Sequence, residues 1–276
     1  MKNLAGLQKD AEEIDSGRIL AVFERAAEAA ARHTLPFFRT ALGIANKAAR
    51  GFDPVTEADR AAERAIREVI ATAFPDHGII GEELGETRSA SPYVWLVDPI
   101  DGTRAFISGL PLWGTLIGLT RSGRAIAGLM SQPYLGESFF AAGGVARLRR
   151  GTTAGPLQVS GVTSLASARL ATTSPRLFES PQSRAAYDAV EARARVTRYG
   201  TDCYGYCMLA AGHVDLVIEE GLQPFDIAAL IPIIEAAGGV ITTWRSGRAE
   251  GGGQIVAAAT PALHAQASEL LAPAAH

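Results

Sequence analysis

From residue 16 to 38 apolar side chains recur every three or four positions. Ile19, Val22, Phe23 and Ala26 form one stripe, which predicts a long amphipathic helix that Pro36 kinks or stops. Gly51, Asp53 and Pro54 mark a polar loop. A second helix is predicted from Thr56 to Phe74, with Ala62, Ile66, Val69 and Ile70 as its core face, Thr56 as N-cap and Asp59 at the third helical position. Pro75 ends it. The period then changes. Gly78–Glu83 reads as a short strand ending in two acids, and Tyr93–Val97 as a strand ending at Asp98. Segments 116–120, 125–130 and 137–141 read as further strands between Gly- and Pro-containing turns. Beyond Gly155-Pro156, strands at 170–173, 196–199, 215–219 and 254–259 alternate with helices at 180–193, 203–212, 226–237 and 261–271. The pattern predicts an α/β protein, an α+β layered sandwich. It has an N-terminal half, 1–154, and a C-terminal half, 155–276, in one compact catalytic unit.

Composition narrows the function. Of 276 residues, 47% are apolar and 20% charged, as in an ordinary globular protein. A net charge of −3 gives no basic footprint, so neither nucleic acid nor an anionic membrane is an expected partner. No apolar run is long enough for a membrane span, and no signal-peptide core follows Lys2, which predicts a cytoplasmic protein. Cys203 and Cys207, four apart on a predicted helix, read as two buried thiols sharing a face.

Asp98-Pro99-Ile100-Asp101-Gly102-Thr103 carries the candidate chemistry. Residues three apart on a regular strand face opposite sides. Pro99 cannot donate to a ladder, so a turn is expected there that gathers both carboxylates, with the Ile100 carbonyl facing the same point. Such an oxygen set suits Mg²⁺. Gly102 lets an anion approach the backbone, and residues 103–108 are suited to a short helix whose free N–H groups would meet phosphate. Further acids stand at element ends: Glu82 and Glu83 after a strand, and Asp226 at the start of an apolar helix, where a plain cap is the competing reading.

Gly81-Glu82-Glu83, then Asp98 to Thr103, then Asp226 with Gly238-Gly239 downstream, resemble the inositol monophosphatase family over nearly the whole chain. The resemblance implies alternating helix and sheet layers, a homodimer, and Mg²⁺-dependent hydrolysis of a small phosphate monoester with two or three ions. It implies metal ligation by Glu82, Asp98, the Ile100 carbonyl, Asp101 and Asp226. Glu82 and an Asp59–Thr103 pair would handle the proton of the attacking water, and Gly102 and Thr103 would hold phosphate. Asp101, Arg104, Asp202, Glu219 and Asp226 complete the substrate-binding set. Phe225 replaces the family's usual Trp before the last Asp. This, with Arg104, Arg198–Tyr204 and Gly221–Ile227, is most similar to the histidinol-phosphate phosphatase branch. That branch implies histidinol phosphate as substrate and a place in histidine biosynthesis. Inositol phosphate or another small phosphomonoester is the alternative.

By that resemblance Asp202 falls where inositol enzymes carry a small apolar residue, and Glu219 where they carry a Glu. A carboxylate at position 202 suits a cationic amine through a charge-assisted hydrogen bond. The bland alternative is that Asp202 caps the helix beginning near Cys203. Arg104 is expected to pair with Glu82 or Glu83 or to touch substrate. Arg147, Arg149 and Arg150 read as a solvated turn, Trp95 as core, and Trp113 as packing or pocket wall. The five histidines read as structural or exposed.

Overall fold

The computed structural model describes residues 15–40 and 57–276, with the backbone of two short strands between them. Gly51, Asp53 and Thr56, the predicted loop and helix cap, lie outside the described residues. In chain order the elements are α1 (Ser16–Thr34), β1 (Ala45–Asn46), β2 (Pro54–Val55), α2 (Glu57–Ala73), β3 (Gly78–Gly81), β4 (Gly85–Thr87), β5 (Tyr93–Asp101) and α3 (Thr103–Ile107). Then come β6 (Gly114–Arg121), β7 (Arg124–Gln132), β8 (Glu137–Ala142), β9 (Val145–Arg150), β10 (Thr153–Pro156), β11 (Arg169–Thr172), α4 (Pro181–Glu191), β12 (Val196–Tyr199) and α5 (Asp202–Ala210). The chain closes with β13 (Leu216–Leu222), α6 (Pro224–Ile227), α7 (Leu230–Ala236), β14 (Val240–Thr243), β15 (Gly253–Ala258) and α8 (Pro261–Leu271).

Two large mixed sheets, of eight strands (β10-β9-β8-β7-β6-β5-β3-β4) and five (β12-β11-β13-β15-β14), alternate with three helical layers. Strand alternation decides what packs where. On the large sheet Trp95, Val97, Ile117 and Leu119 meet the predicted stripes of α1 and α2. Leu116, Met130 and Phe139, pointing the other way, meet α5 and α7. Ala171, Val217, Ile255 and Ala257 of the second sheet cover that same middle layer, while Leu170, Leu216, Ile218 and Val256 face α4 and α8. The layered fold matches the sequence expectation.

Several local expectations change. Arg147, Arg149 and Arg150 are not a turn but part of β9. Arg150 donates to Glu137 at 3.0 Å, and Glu137 also accepts from Tyr204 Oη at 2.6 Å. The helix expected over 226–237 divides at Ala228–Ala229 into α6 and α7. That joint lies against glycines of β6 and β7. A Cβ at Gly118 would sit 2.8 Å from Ala229 N, and one at Gly128 only 1.9 Å from Ala229 O. The two glycines form the seat that sets the height of α6 over the sheet. Trp95 and Trp113 are fully buried, and both cysteines are buried free thiols.

Candidate metal and phosphate site

Asp98 and Asp101 meet through a bulge, not through the turn expected at Pro99. β5 runs unbroken from Tyr93 to Asp101. Asp98 pairs with Leu116 and Asp101 with Gly114, so β5 carries one residue more than β6 over this span. The extra residue reverses the alternation and turns both carboxyls to one side. Asp98 Oδ1 accepts from Ile100 N at 3.0 Å, and Thr115 Oγ1 donates to the Pro99 carbonyl at 2.8 Å, which holds the bulge. Gly102 follows with φ +81°. A Cβ there would lie 3.1 Å from Leu112 O and 3.2 Å from Asp202 Cβ, so the position needs glycine twice over. α3 starts at Thr103, whose hydroxyl donates to the Ile100 carbonyl at 3.1 Å.

α6 brings the third acid. Its Asp226 accepts from Gln223 N at 2.7 Å in a capping box, so the cap reading holds for Asp226 alongside its place in the site. Carboxylate oxygens of Asp98, Asp101 and Asp226 lie within 4.8 Å of one another. Glu82, Ile100, Gly102, Thr103, Arg104, Asp202 and Glu219 line the same cavity, of about 310 Å³, together with Thr173. Asp59 on α2 is 2% exposed, and its charge reaches Asp98.

Asp101 also ties the two halves together. Its Oδ2 accepts from Cys203 N at 2.8 Å, so the carboxyl satisfies the start of α5. Asp202 does not cap this helix: Thr201 occupies the cap position, and Asp202 sits in the first turn with φ +43°. Arg104 is exposed and attracts Asp202. Glu83 instead has Arg60 at 3.5 Å.

Electrostatics marks the acids as one set. Burial pushes the Asp98 carboxyl well above the usual range, and Glu82, Asp101, Asp226 and Asp59 push the same way. Burial and Asp101 likewise raise Asp226 against the hydrogen bond from Gln223. Asp101 is raised by burial and held back by the Cys203 thiol and backbone N–H. Converging hard oxygen donors that destabilise one another's charge fit a divalent cation such as Mg²⁺.

In the same cavity, Glu219 Oε1 accepts from Thr173 N at 2.6 Å and Thr173 Oγ1 at 3.0 Å. Burial raises Glu219 to about 8, against those bonds from Thr173. Burial and Asp101 raise Asp202 to about 7, against Arg104 and Thr173.

Sequence reasoning missed Glu63 and Thr173. Glu63 stands four residues after Asp59, on the same face of α2, with Arg67 four further on. That run of charges in an otherwise apolar face was its signal.

Fold and site together define a member of the inositol monophosphatase family, and the family profile matches residues 15–276. The chain belongs to this family. It is 42% identical over 233 residues to a chloroplastic bifunctional phosphatase of Arabidopsis thaliana, covering 84% of this chain and 66% of that one. It thus spans just under two thirds of the plant relative. A histidinol-phosphatase of Chlorobaculum parvum is 38% identical over 220 residues, covering 79% of this chain and 83% of that one. An inositol monophosphatase from Zymomonas mobilis superposes with a TM-score of 0.83 at 36% identity, covering 94% and 99% of the two chains.

Proposed function

We propose that the protein is a Mg²⁺-dependent phosphomonoesterase that hydrolyses histidinol phosphate to histidinol and phosphate. One observation carries the choice of substrate. The cavity that carries the Asp98, Asp101 and Asp226 carboxyls is also lined by Asp202 and Glu219, both of which bond to Thr173. Asp202 is the carboxyl that the inositol enzymes lack, whereas Glu219 stands where they also carry a Glu; a phosphate ester bearing a cationic amine complements that extra carboxyl, and an inositol ring offers only hydroxyls. The histidinol-phosphatase of Chlorobaculum parvum supports the same reading.

Asp98, Asp101, Asp226, Glu82 and the Ile100 carbonyl would hold two or three Mg²⁺ ions. Bound there, the metal supplies positive charge for the phosphoryl oxygens and acidifies a coordinated water. Glu82, with Asp59 and Thr103, accepts and orients the proton of the attacking water. The backbone at Gly102 and Thr103 cradles phosphoryl oxygens, and Gly102's lack of a side chain leaves room for them. Arg104 and Asp202 flank the entering substrate. No side chain serves as a covalent nucleophile.

We extend the proposal to a homodimer in the cytoplasm, working in histidine biosynthesis, with residues 1–154 and 155–276 as halves of one catalytic unit. Among the described residues no helix is long and apolar enough to cross a membrane.

The test is phosphate release from histidinol phosphate beside inositol 1-phosphate, with Mg²⁺ and with chelator. A kcat/KM at least tenfold higher for histidinol phosphate, lost on chelation, is expected. Faster turnover of inositol phosphate would transfer the assignment to inositol monophosphatase. A phosphoenzyme trapped from labelled substrate would sink direct attack by water.

A further inference from the structure

We propose that Glu63 is a positioning residue for Glu82: a buried carboxylate clamp that fixes Glu82 and mounts it on the same rigid body as Asp59. The inference rests on Glu82 serving in metal binding and proton handling.

The clamp starts from a backbone problem. β3 ends at Gly81, and Glu82 N still bonds to Val97 O at 3.1 Å, one residue before Asp98. The next two N–H groups, of Glu83 and Leu84, leave the ladder where the chain turns toward β4. Partly buried donors without acceptors are costly. The Glu63 carboxylate, with no exposed surface, accepts from both, at 2.7 Å from Glu83 N and 3.3 Å from Leu84 N.

The fit depends on the residue before Glu82. A Cβ at Gly81 would lie 1.9 Å from Glu63 Oε1, so the carboxylate lies directly over the glycine. Arg67 balances its charge at 2.7 Å. Arg67 also donates to the Gly85 carbonyl and, at 3.0 Å, to Thr87 Oγ1, extending the hold onto β4.

Asp59, Glu63 and Arg67 are spaced four apart, so each stands about one turn, roughly 6 Å, further along one face of α2. Asp59 reaches the acid cluster, Glu63 holds the turn beyond Glu82, and Arg67 holds the next strand. The two proton-handling groups therefore keep a fixed relation to each other, set by one helix and not by the metal. Asp98, Asp101 and Asp226 are placed separately, by the bulge and by α6.

Glu63→Gln keeps the shape but turns an N–H₂ toward backbone N–H groups. Loss of a partner that orients a metal ligand typically costs about 10- to 100-fold in affinity or rate. The expected result is a protein that melts at a lower temperature but is folded at 25 °C without metal, because the turn and Arg67 lose their partner, binds Mg²⁺ about tenfold or more weakly by calorimetry, and shows a kcat about 10- to 100-fold lower at saturating Mg²⁺ with KM within twofold. Glu63→Gln added to Glu82→Gln should cost nothing further, because the clamp acts through Glu82. Wild-type Mg²⁺ affinity and kcat in folded Glu63→Gln would overturn the inference, as would full additivity of the two changes.

If Glu63→Gln does not fold, the same measurements pass to Glu63→Met with Arg67→Met. That pair replaces the buried ion pair with packed apolar volume and still removes the clamp. If Glu82→Gln alone keeps wild-type activity and Mg²⁺ affinity, the assigned role of Glu82 is what fails. A loss in Glu63→Gln would then have to arise elsewhere, and the clamp falls with it.

Discussion

Gly128→Ala tests whether the height of α6 over the sheet sets the metal site. Gly128 lies in the middle of β7, and the nearest carboxylate of the site is carried by another element. A Cβ at Gly128 would sit 1.9 Å from Ala229 O, whereas ordinary contact begins at 3.4 Å, so the α6–α7 joint must lift by about 1.5 Å. The atom in the way is backbone, so no rotamer change relieves the clash. Asp226 lies three residues before Ala229 and moves with the joint, away from Asp98 and Asp101 of β5. Misplacing a reacting group by about 1 Å can cost about 100-fold in rate. Overpacking of this kind also destabilises by about 1–3 kcal/mol.

The expected outcome is a kcat/KM about 100-fold lower for phosphate release, a weakened Mg²⁺ isotherm, and a lower melting temperature that leaves a folded protein at 25 °C. Gly155→Ala is the control, since a Cβ there meets nothing within 4 Å. If folded Gly128→Ala bound Mg²⁺ and turned over within threefold of wild type, the argument that this seat positions Asp226 would be wrong.

Three further outcomes follow from the electrostatics. Asp202→Asn should raise KM for histidinol phosphate about tenfold or more, the worth of a charge-assisted hydrogen bond of about 1.5–3 kcal/mol, and change inositol phosphate kinetics far less. Equal effects on both substrates would refute amine recognition. Because the folded-state values of Asp98, Asp101 and Asp226 are raised, the metal-free protein holds protons that the unfolded chain releases, so its stability falls as pH rises through those values. Mg²⁺ replaces those protons, so its gain in melting temperature should be larger at about pH 8 than at about pH 5, and equal gains would contradict the shared site. Burial works to raise Asp215, but hydrogen bonds from Arg169 and Ser160 overcome it and hold the carboxyl below its usual range. That stability is present above the unfolded value near 3.9 and is lost as pH falls through the folded one, so Asp215→Asn should lower stability by about 2 kcal/mol at neutral pH and flatten acid unfolding. A melting curve in acid as steep as wild type would count against the ion pair.

The acids of the site were legible because their signal is local. Asp98, Asp101, Gly102 and Thr103 lie within six residues, and Asp226 carries a helix-start pattern of its own. The long stripes of α1 and α2 were legible for the same reason. What the sequence hid depends on distant partners. A bulge and a turn ask for similar residues at Pro99, and only the pairing with Leu116 and Gly114 tells them apart. β9 alternates arginines with Ala146 and Leu148, so it reads as a charged turn until β8 and β10 lie on either side of it. The break between α6 and α7 falls in Ala228-Ala229-Leu230, all good helix formers; it coincides with the contact on Gly118 and Gly128, more than 100 residues earlier in the chain. Glu63 lies on the apolar face of α2, and its role shows only once the Glu83 and Leu84 amides it serves lie beside it.

Asp202 shows where this architecture leaves room to change. Its backbone is left-handed at φ +43°, a conformation that costs a non-glycine residue about 1–2 kcal/mol. Its carboxyl is also more buried than a free acid prefers. Glycine would relieve both, and the α5 amide of Cys203 would still find Asp101. Folding therefore does not require an acid at position 202. Asp202→Gly should give a more stable protein that keeps its metal set and loses discrimination among esters. Substrate range could then drift at this position, with stability gained as selectivity is given up, while the hydrolytic centre stays as it is.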